Sequence, residues 1–203
     1  MRKIMVFGLA VMLVVLAGCS PKEKIMKPEA KTAALEPFDS HFALFKTAFE
    51  GKEPGKALAS LRSSLEAFWD KSPLFLENIK FVKGADNSYG IYEPKGGDVF
   101  AEGEPVYLYM EPAGYAVAKN PAGNYEFGFT ADFQLEDESG KILGGQNNFA
   151  NMPFKSWNFN TEISLTFTYT LSGLAKGKYK IITHVKDTVS DKKATAENWF
   201  TVQ

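Results

Sequence analysis

Cysteine and histidine are scarce in this sequence, whose 203 residues include one cysteine and two histidines. A single cysteine cannot form a disulfide within its own chain, so the fold has to be stable through packing alone. His41 and His184 have no second imidazole or thiol near them, and a zinc site is therefore not expected. The G-x-S-x-G motif of serine hydrolases and the D-x-D-x-D-G loop of calcium-binding proteins are also missing. These absences predict a protein with no catalytic residue, no metal and no cofactor.

An excess of positive charge is missing too. Lys and Arg number 23 against 24 Asp and Glu, which gives a net charge of −1. Nucleic-acid-binding proteins carry clusters of basic side chains, so nucleic acid is not an expected partner. After residue 17, no stretch is long and apolar enough to span a bilayer. Aromatic residues, in contrast, make up 14% of the chain, and the 17 phenylalanines among them suit a core of large rings.

The first nineteen residues have the pattern of an export signal. Arg2 and Lys3 precede residues 4–17, which are almost entirely apolar but fewer than the ~20 residues of a membrane-spanning helix. The order Leu16-Ala17-Gly18-Cys19 resembles the lipobox of bacterial lipoproteins. This resemblance implies a signal peptide of residues 1–18, cleavage before Cys19 and a diacylglyceryl group on the Cys19 thiol. A further acyl chain, such as palmitate, usually joins the new amine.

A lipid on Cys19 would also explain why the chain keeps this cysteine. A lone thiol is reactive in an oxidising compartment, and acylation consumes it. Each buried CH₂ contributes about 0.8 kcal/mol, so two or three acyl chains hold a protein at the membrane. The predicted location is therefore the bacterial cell envelope, and Ser20 favours the outer membrane if the cell is Gram-negative. The alternative is an uncleaved N-terminal anchor with an incidental cysteine.

A tether and a helical hairpin are predicted next. Residues 19–36 contain two prolines and four lysines, a composition typical of a flexible linker. One helix is then indicated by phenylalanines at steps of four, three and four: Phe38, Phe42, Phe45 and Phe49. A second helix begins near Pro54 and has its own apolar stripe: Leu58, Leu61, Leu65, Phe68 and Trp69. We expect residues 37–76 to form an αα-hairpin whose stripes pack on each other and on the C-terminal part of the chain.

Residues 77–203 change to a period of two, which predicts strands. Apolar and polar residues alternate over three long stretches, 125–136, 163–171 and 178–186. Further strands are expected near 78–83, 88–93, 105–111, 141–146 and 194–202. A count of about seven strands separated by turns predicts an antiparallel immunoglobulin-like β-sandwich. The fold class is therefore mainly β with a small α part.

The closing stretch supports this prediction through a resemblance. Gly177-Lys178-Tyr179, Val185-Lys186-Asp187 and the run from Lys193 to Val202 resemble the last two strands of many extracellular bacterial Ig-like domains. The resemblance covers residues 171–202 and implies the fold only, because this fold serves many functions.

Acidic and aromatic residues are mixed over residues 89–112, "YGIYEPKGGDVFAEGEPVYLYMEP". Its carboxylates are Glu93, Asp98, Glu102, Glu104 and Glu111. Paired carboxylates catalyse glycoside hydrolysis, but acidic residues beside proline and in glycine-rich turns are more often simply solvated. Val106, Leu108 and Met110 are expected to face the core. Tyr107 and Tyr109 then lie on the opposite face, exposed unless the helices cover them.

A second candidate is the segment "GGQNNFANMPFKSWNFNTE", residues 144–162, which is predicted as a long loop. Aromatic side chains among Asn and Ser are typical of adaptable binding surfaces, although such a loop can instead bury its rings over the sandwich. Trp199 is out of phase with Phe200 and Val202 and is expected to face outward or to meet the helices. The candidate binding surface consists of Tyr107, Tyr109, Phe149, Phe154, Trp157 and Trp199.

Three functions fit this pattern. The first is a lipid-anchored envelope protein that binds or scaffolds a protein partner and is not an enzyme. The alternative is a glycan-binding or glycan-hydrolysing envelope protein that uses carboxylates of residues 93–111. The third is an accessory subunit without a ligand, whose aromatic surfaces are covered only inside a complex.

Overall fold

A computed structural model describes residues 36–203 of the chain. The predicted signal peptide, Cys19 and almost all of the predicted tether lie outside the described residues. Two helices come first, α1 (Glu36–Glu50) and α2 (Pro54–Lys71). Nine strands come after them: β1 (Phe75–Val82), β2 (Val99–Phe100), β3 (Val106–Ala113), β4 (Ala118–Lys119), β5 (Tyr125–Asp137), β6 (Ile142–Ser156), β7 (Leu165–Tyr169), β8 (Gly177–Asp187) and β9 (Lys193–Val202). The protein is mainly β with two helices.

The helical hairpin forms where the sequence predicted it. The backbone leaves α1 through Gly51, whose N–H donates to the Thr47 carbonyl at 2.9 Å, and Lys52 adopts a left-handed φ of 57°. Pro54 occupies the first turn of α2, where its missing N–H costs nothing. At the other end, the Ser72 N–H caps α2 by donating to the Phe68 and Trp69 carbonyls. Neither helix of this described part is long and apolar enough to cross a bilayer.

The nine strands form two sheets. A three-stranded antiparallel sheet has the order β1-β3-β7. The larger sheet has the order β2-β9-β8-β5-β4, and β6 also pairs with β5. Its pairs are antiparallel, except for the short parallel pair of β2 and β9. The predicted hairpin of the last two strands is confirmed, with Lys180 opposite Trp199.

The core contains side chains from both sheets, so the two sheets enclose it together. Val106, Leu108 and Met110 of β3 face the core as predicted. Alternate residues of β5, β7, β8 and β9 complete it, among them Phe129, Phe167, Ile181, Val185 and Phe200. The period of two therefore identified the buried faces of these strands correctly.

Two strand predictions were wrong. Residues 88–93 do not form a strand: Ser88 and Ile91 exchange two backbone hydrogen bonds of 2.9 Å around Gly90, which has a φ of +67°. The expected loop 144–162 is strand up to Ser156, because β6 continues along β5 from Ile142. The strand expected near 141–146 forms the first part of β6, and a bulge near Asn148, whose φ is 50°, separates it from the part that was expected as loop.

The hairpin is joined to the sandwich near the end of α2. The Trp69 ring packs edge-on against Tyr115 (5.3 Å between centroids) and Phe159 (6.4 Å). The Lys192 ammonium donates to two carbonyl oxygens, Asp70 O at 3.0 Å on α2 and Gly114 O at 2.8 Å after β3. Gly114 has a φ of +76°, and a Cβ there would lie 2.1 Å from the Pro73 carbonyl oxygen, so only glycine fits this close approach.

Candidate functional site

The helical hairpin carries an apolar groove on its surface. It encloses about 330 Å³ and is lined by Phe38 and Phe42 of α1 and by Leu58, Leu61, Leu65 and Phe68 of α2, with Arg62 and Ser64. The Ser64 hydroxyl is already satisfied, because it donates to the Ser60 carbonyl at 2.9 Å. We call this surface the hairpin groove.

The α1 wall of the groove consists of Phe38 and Phe42, the first two rings of a row of four phenylalanines, here called the ladder. The rings of Phe38, Phe42, Phe45 and Phe49 succeed one another with centroids 5.6, 5.6 and 5.9 Å apart. The ladder meets α2 at Phe68, whose centroid lies 6.1 Å from that of Phe38. Steps of three and four residues place these rings on one helix face, which is why the sequence pattern identified them.

The expectation that the helix stripes pack on each other and on the C-terminal part of the chain is met only in part, by the Phe38–Phe68 contact and by the Trp69 contact with the sandwich. The residues of α2 that are fully buried are the small ones, Ala57 and Ser64. Large apolar side chains of both helices stay exposed, namely Leu44, Phe49, Leu58, Leu61, Leu65 and Phe68. Among the described residues, the helices reach the sandwich through the end of α2, so their apolar stripe faces outward. Periodicity predicts that a face is apolar, but it does not reveal what covers that face.

The outer face of β3 was predicted as exposed or covered by helices, and for Tyr109 both alternatives are wrong. Tyr109 is completely buried, and Tyr107 is half-buried. The cover is the segment between β1 and β2: Tyr92 packs on Tyr109 with centroids 4.4 Å apart, and the Gly90 N–H donates to the Tyr109 hydroxyl at 2.9 Å. Tyr109 is therefore not available as a binding surface.

Glu111 lies beside Tyr109 under the same cover. Its carboxylate accepts hydrogen bonds from the Tyr109 hydroxyl (2.6 Å), the Asn78 side-chain amide (2.5 Å) and the Gly90 N–H (3.2 Å). Asn78 reaches it from a bulge in β1, where its φ is 49°. No sequence pattern pointed to Asn78, because the bulge and the strand pairing bring it to Glu111.

These hydrogen bonds set the acid–base behaviour of the pair. Burial raises the pKa of the Tyr109 hydroxyl to about 12, and the neighbouring Glu111 adds to the effect. Burial would also raise the pKa of Glu111, but the three hydrogen bonds outweigh it and hold that pKa below its ordinary value. Because Glu111 stays ionised and accepts three hydrogen bonds from its own chain, it stabilises the fold locally.

Two of the other acids of residues 93–111, Glu93 and Glu104, form ion pairs with lysines. Glu93 pairs with Lys83, and Glu104 pairs with Lys95 while it accepts the Ala101 N–H at 2.7 Å. The Lys95 hydrogen bond, with the Ala101 N–H, lowers the pKa of Glu104. Among the described residues, no group of three or more His, Cys, Asp or Glu is arranged to hold a metal ion.

The aromatic candidates of residues 144–162 divide into two kinds. Phe149 packs on Phe133 and Phe167, and Phe154 stacks on Phe127 with centroids 5.4 Å apart. Both rings are partly buried and extend the core, because pairing of β6 with β5 turns them inward, and Phe154 also lines a shallow concavity with Phe127 and Pro153.

Two tryptophans face outward. Trp157 comes directly after β6 and is 80% exposed. Trp199 is 39% exposed on β9, where the ammonium groups of Lys178 and Lys180 lie 5.1 and 5.5 Å from its ring centre. Its outward orientation agrees with its phase in the strand. The two rings are on separate elements, and Trp199 does not line the cleft that contains Trp157.

Comparison with known proteins adds little. No family model matches the chain, and no curated protein matches it. Similar solved structures include CopC from Methylosinus trichosporium OB3b (17% identity, TM-score 0.30, 62% of this chain and 94% of that one) and a superoxide reductase from Nanoarchaeum equitans (19%, 0.31, 64% and 94%). The Pseudomonas fluorescens alkylpurine DNA glycosylase AlkC matches at 10% identity and TM-score 0.34, and the chain spans 42% of its length. TM-scores this low carry no argument about function.

Proposed function

We propose that the protein is a lipid-anchored binding or scaffolding protein of the bacterial cell envelope that holds a protein partner in the hairpin groove. The observation that carries the proposal is the exposed apolar lining of this groove. Soluble monomers rarely leave a contiguous apolar patch uncovered, and such patches are typical of interaction sites. The lipobox resemblance at Cys19 supports the membrane attachment.

An amphipathic helix of the partner is the occupant that fits best. Two neighbouring helices joined by a short turn present a groove that a third helix completes into a three-helix bundle. Leu58, Leu61, Leu65 and Phe68 recur at steps of three and four, the ridge spacing that packs against a helix. An extended peptide would bring unpaired backbone N–H and C=O groups against an apolar lining, whereas a helix satisfies its own.

The proposed anchor would keep this site close to the membrane. The tether of residues 19–36 spans at most about 60 Å when fully extended, at about 3.3–3.6 Å per residue. A partner held in the groove would therefore be confined to a layer above the bilayer. Scaffolding here means this confinement of the partner near the membrane.

The proposal is tested with two leucines of equal exposure. Leu61 in the groove is 42% exposed, and Leu143 on β6 is 44% exposed. Replacing either with serine should cost similar, small amounts of stability, because both side chains are half in water already. We expect Leu61→Ser to weaken capture of the partner by about tenfold, as expected for the loss of a central apolar anchor.

Leu143→Ser serves as the matched control in the same cells. Capture is measured by quantitative mass spectrometry of proteins co-purified with the full chain from detergent-solubilised membranes. Equal losses in both variants, or no loss in either, would contradict the assignment of the groove. A complex that contains only further copies of this chain would contradict the choice of a different protein as the occupant.

We also propose that the strands form an immunoglobulin-like sandwich. Two sheets that share one core, and the final antiparallel pair of β8 and β9, support this finer assignment. The hydrolase alternative lacks comparable support, since Glu111 is buried and saturated by its own chain. It would require turnover of glycan fragments that fails in Glu93→Gln or Glu111→Gln.

A further inference from the structure

A second concave site lies where α2 approaches one end of the sandwich. This cleft encloses about 530 Å³, within the range of about 300–1,000 Å³ that small-molecule sites occupy. Its main side chains are three aromatic ones, Tyr125, Trp157 and Phe159, and three charged ones, Arg62, Glu66 and Lys119. We call it the Trp157 cleft. Its composition differs from that of the hairpin groove, which contains almost no polar atoms.

Trp157 is an exposed ring on a fixed segment. At 80%, its exposure is the largest among the large apolar side chains of the described residues. The adjoining residues are held by hydrogen bonds: the Ser156 hydroxyl donates to the Asn158 carbonyl at 2.5 Å, and the buried Tyr115 hydroxyl donates to the Asn160 carbonyl at 2.5 Å. These bonds hold the backbone next to Trp157, and the exposed indole offers a flat apolar surface to a ligand.

Phe159 and Tyr125 extend this aromatic surface into the cleft. Phe159 packs edge-on against Trp69 and against Tyr125, with centroids 6.4 and 6.0 Å apart. Edge-to-face packing on two sides fixes the Phe159 ring relative to Tyr125. These rings come from β5 and from the segment after β6, so the sequence could not have shown them as one site.

Two cations of the cleft have no anionic partner within residues 36–203. Neither Arg62 nor Lys119 lies within ion-pair distance of an acidic group of these residues. The Lys119 ammonium lies 5.2 Å from the centre of the Tyr125 ring. The guanidinium of Arg62 and the ammonium of Lys119 are therefore suited to bind a carboxylate. A guanidinium binds a carboxylate through two parallel hydrogen bonds.

Glu66 limits what kind of anion the cleft accepts. It lies one helical turn after Arg62 and lines the same cleft. Its carboxylate accepts hydrogen bonds from hydroxyl groups, but it repels a ligand with dense negative charge such as a nucleic acid. With Asn158 it offers both acceptors and donors at the cleft.

From these groups we propose that the Trp157 cleft binds a sugar acid, a glycan unit that carries a carboxylate. The C–H face of the sugar packs on the indole of Trp157, because C–H hydrogens meet the negative face of an aromatic ring. The sugar hydroxyls bond to Glu66 and Asn158, and the carboxylate bonds to Arg62 and Lys119. This binding site shares Arg62 with the hairpin groove, whereas its other lining residues lie outside that groove.

The test is isothermal titration calorimetry on the full chain, purified from membranes in detergent micelles. The probes are trigalacturonate, which carries three carboxylates, and maltotriose, a neutral trisaccharide of the same length. We expect trigalacturonate to bind at least about tenfold more tightly than maltotriose, with an affinity that falls as salt screens the charges. No heat from trigalacturonate at millimolar concentration, or equal affinity for both sugars, would overturn the proposal.

Two matched pairs of variants locate the site. Trp157→Ala should weaken trigalacturonate binding by about tenfold, whereas Ile91→Ala, at another exposed apolar side chain, should not change it. Lys119→Gln should weaken binding several-fold, and Lys176→Gln, at an exposed lysine outside the cleft, should not. Unchanged affinity in both cleft variants, or tighter binding of a single-stranded DNA 12-mer than of trigalacturonate, would overturn the assignment. Far-UV circular dichroism checks that each variant is folded.

Discussion

The contact of Trp69 with the sandwich makes a prediction that separates ring packing from hydrogen bonding. Its ring packs edge-on against Tyr115 and Phe159 near the end of α2. Its indole nitrogen is buried, yet no described residue accepts a hydrogen bond from it. Trp69→Phe should therefore keep the contacts that matter, while Trp69→Ala should lose them.

The expected magnitudes can be derived from these contacts. Replacing a buried Phe or Trp with Ala costs about 3–5 kcal/mol, and Trp69 is half-buried, so Trp69→Ala should cost about 2–3 kcal/mol. Trp69→Phe should cost at most about 1 kcal/mol, since the smaller ring retains edge-to-face packing and removes a desolvated N–H that makes no bond.

Urea unfolding monitored by far-UV circular dichroism measures both free energies without relying on tryptophan emission. Trp199→Phe is the control, because Trp199 is a tryptophan outside this contact and partly exposed. If Trp69→Phe were as destabilising as Trp69→Ala, the indole N–H would have a partner that this account lacks, and the packing argument would fail.

Three further predictions concern a buried acid, a buried turn and the anchor. The pKa of Glu111 is lower in the folded protein than in the unfolded chain, so its ionised form stabilises the fold at pH values above the ordinary glutamate pKa. This stabilisation is lost as the pH falls through the folded pKa. Glu111→Gln should therefore cost about 1.5–3 kcal/mol at pH 7 and progressively less at acidic pH. Parallel stability curves of both proteins between pH 7 and 2 would contradict this. The buried Asp187 carboxylate accepts N–H bonds from Ala116, Val189 and Ser190, so Asp187→Ala should cost about 3 kcal/mol and Asp187→Asn clearly less, as urea unfolding can check. Cys19→Ser should abolish palmitate labelling and membrane retention in cells, and labelling that persists would refute lipidation of Cys19.

Much of the fold could be predicted because the relevant side chains are regularly spaced. The phenylalanines of α1 and the alternating residues of β5, β7 and β8 each occupy one face of one element, so periodicity reveals them. The start of strand β6 was predicted near 141–146, but its continuation to Ser156 was missed, because a bulge near Asn148 (φ 50°) interrupts the alternation. The segment around Gly90 was mistaken for a strand because a turn there has the residue types of an alternating stretch.

The sites were harder to predict than the fold, for a different reason. Exposure of Trp157 depends on where β6 ends, and the cleft beside it also needs Arg62 of α2 and Lys119 of β4. These residues are far apart in the chain and share no spacing. One signal was present: Arg62 is the only arginine after Arg2. The apolar stripes that line the hairpin groove were predicted from their spacing, but they were expected to pack on each other and on the C-terminal part of the chain, so the groove itself was not predicted.

The central claim is that a partner helix occupies the hairpin groove, and a site-specific photo-cross-linker tests it most directly. A benzophenone amino acid is placed at Leu61 in one strain and at Leu143 in another, two positions of nearly equal exposure. After irradiation of intact cells, the cross-linked peptide is sequenced by mass spectrometry. We predict one dominant adduct at position 61 and none at 143, in which the attached peptide belongs to a different protein and has apolar residues at steps of three and four. Cross-links from position 61 only to lipid or to a second copy of this chain, or the same adducts from both positions, would contradict the account.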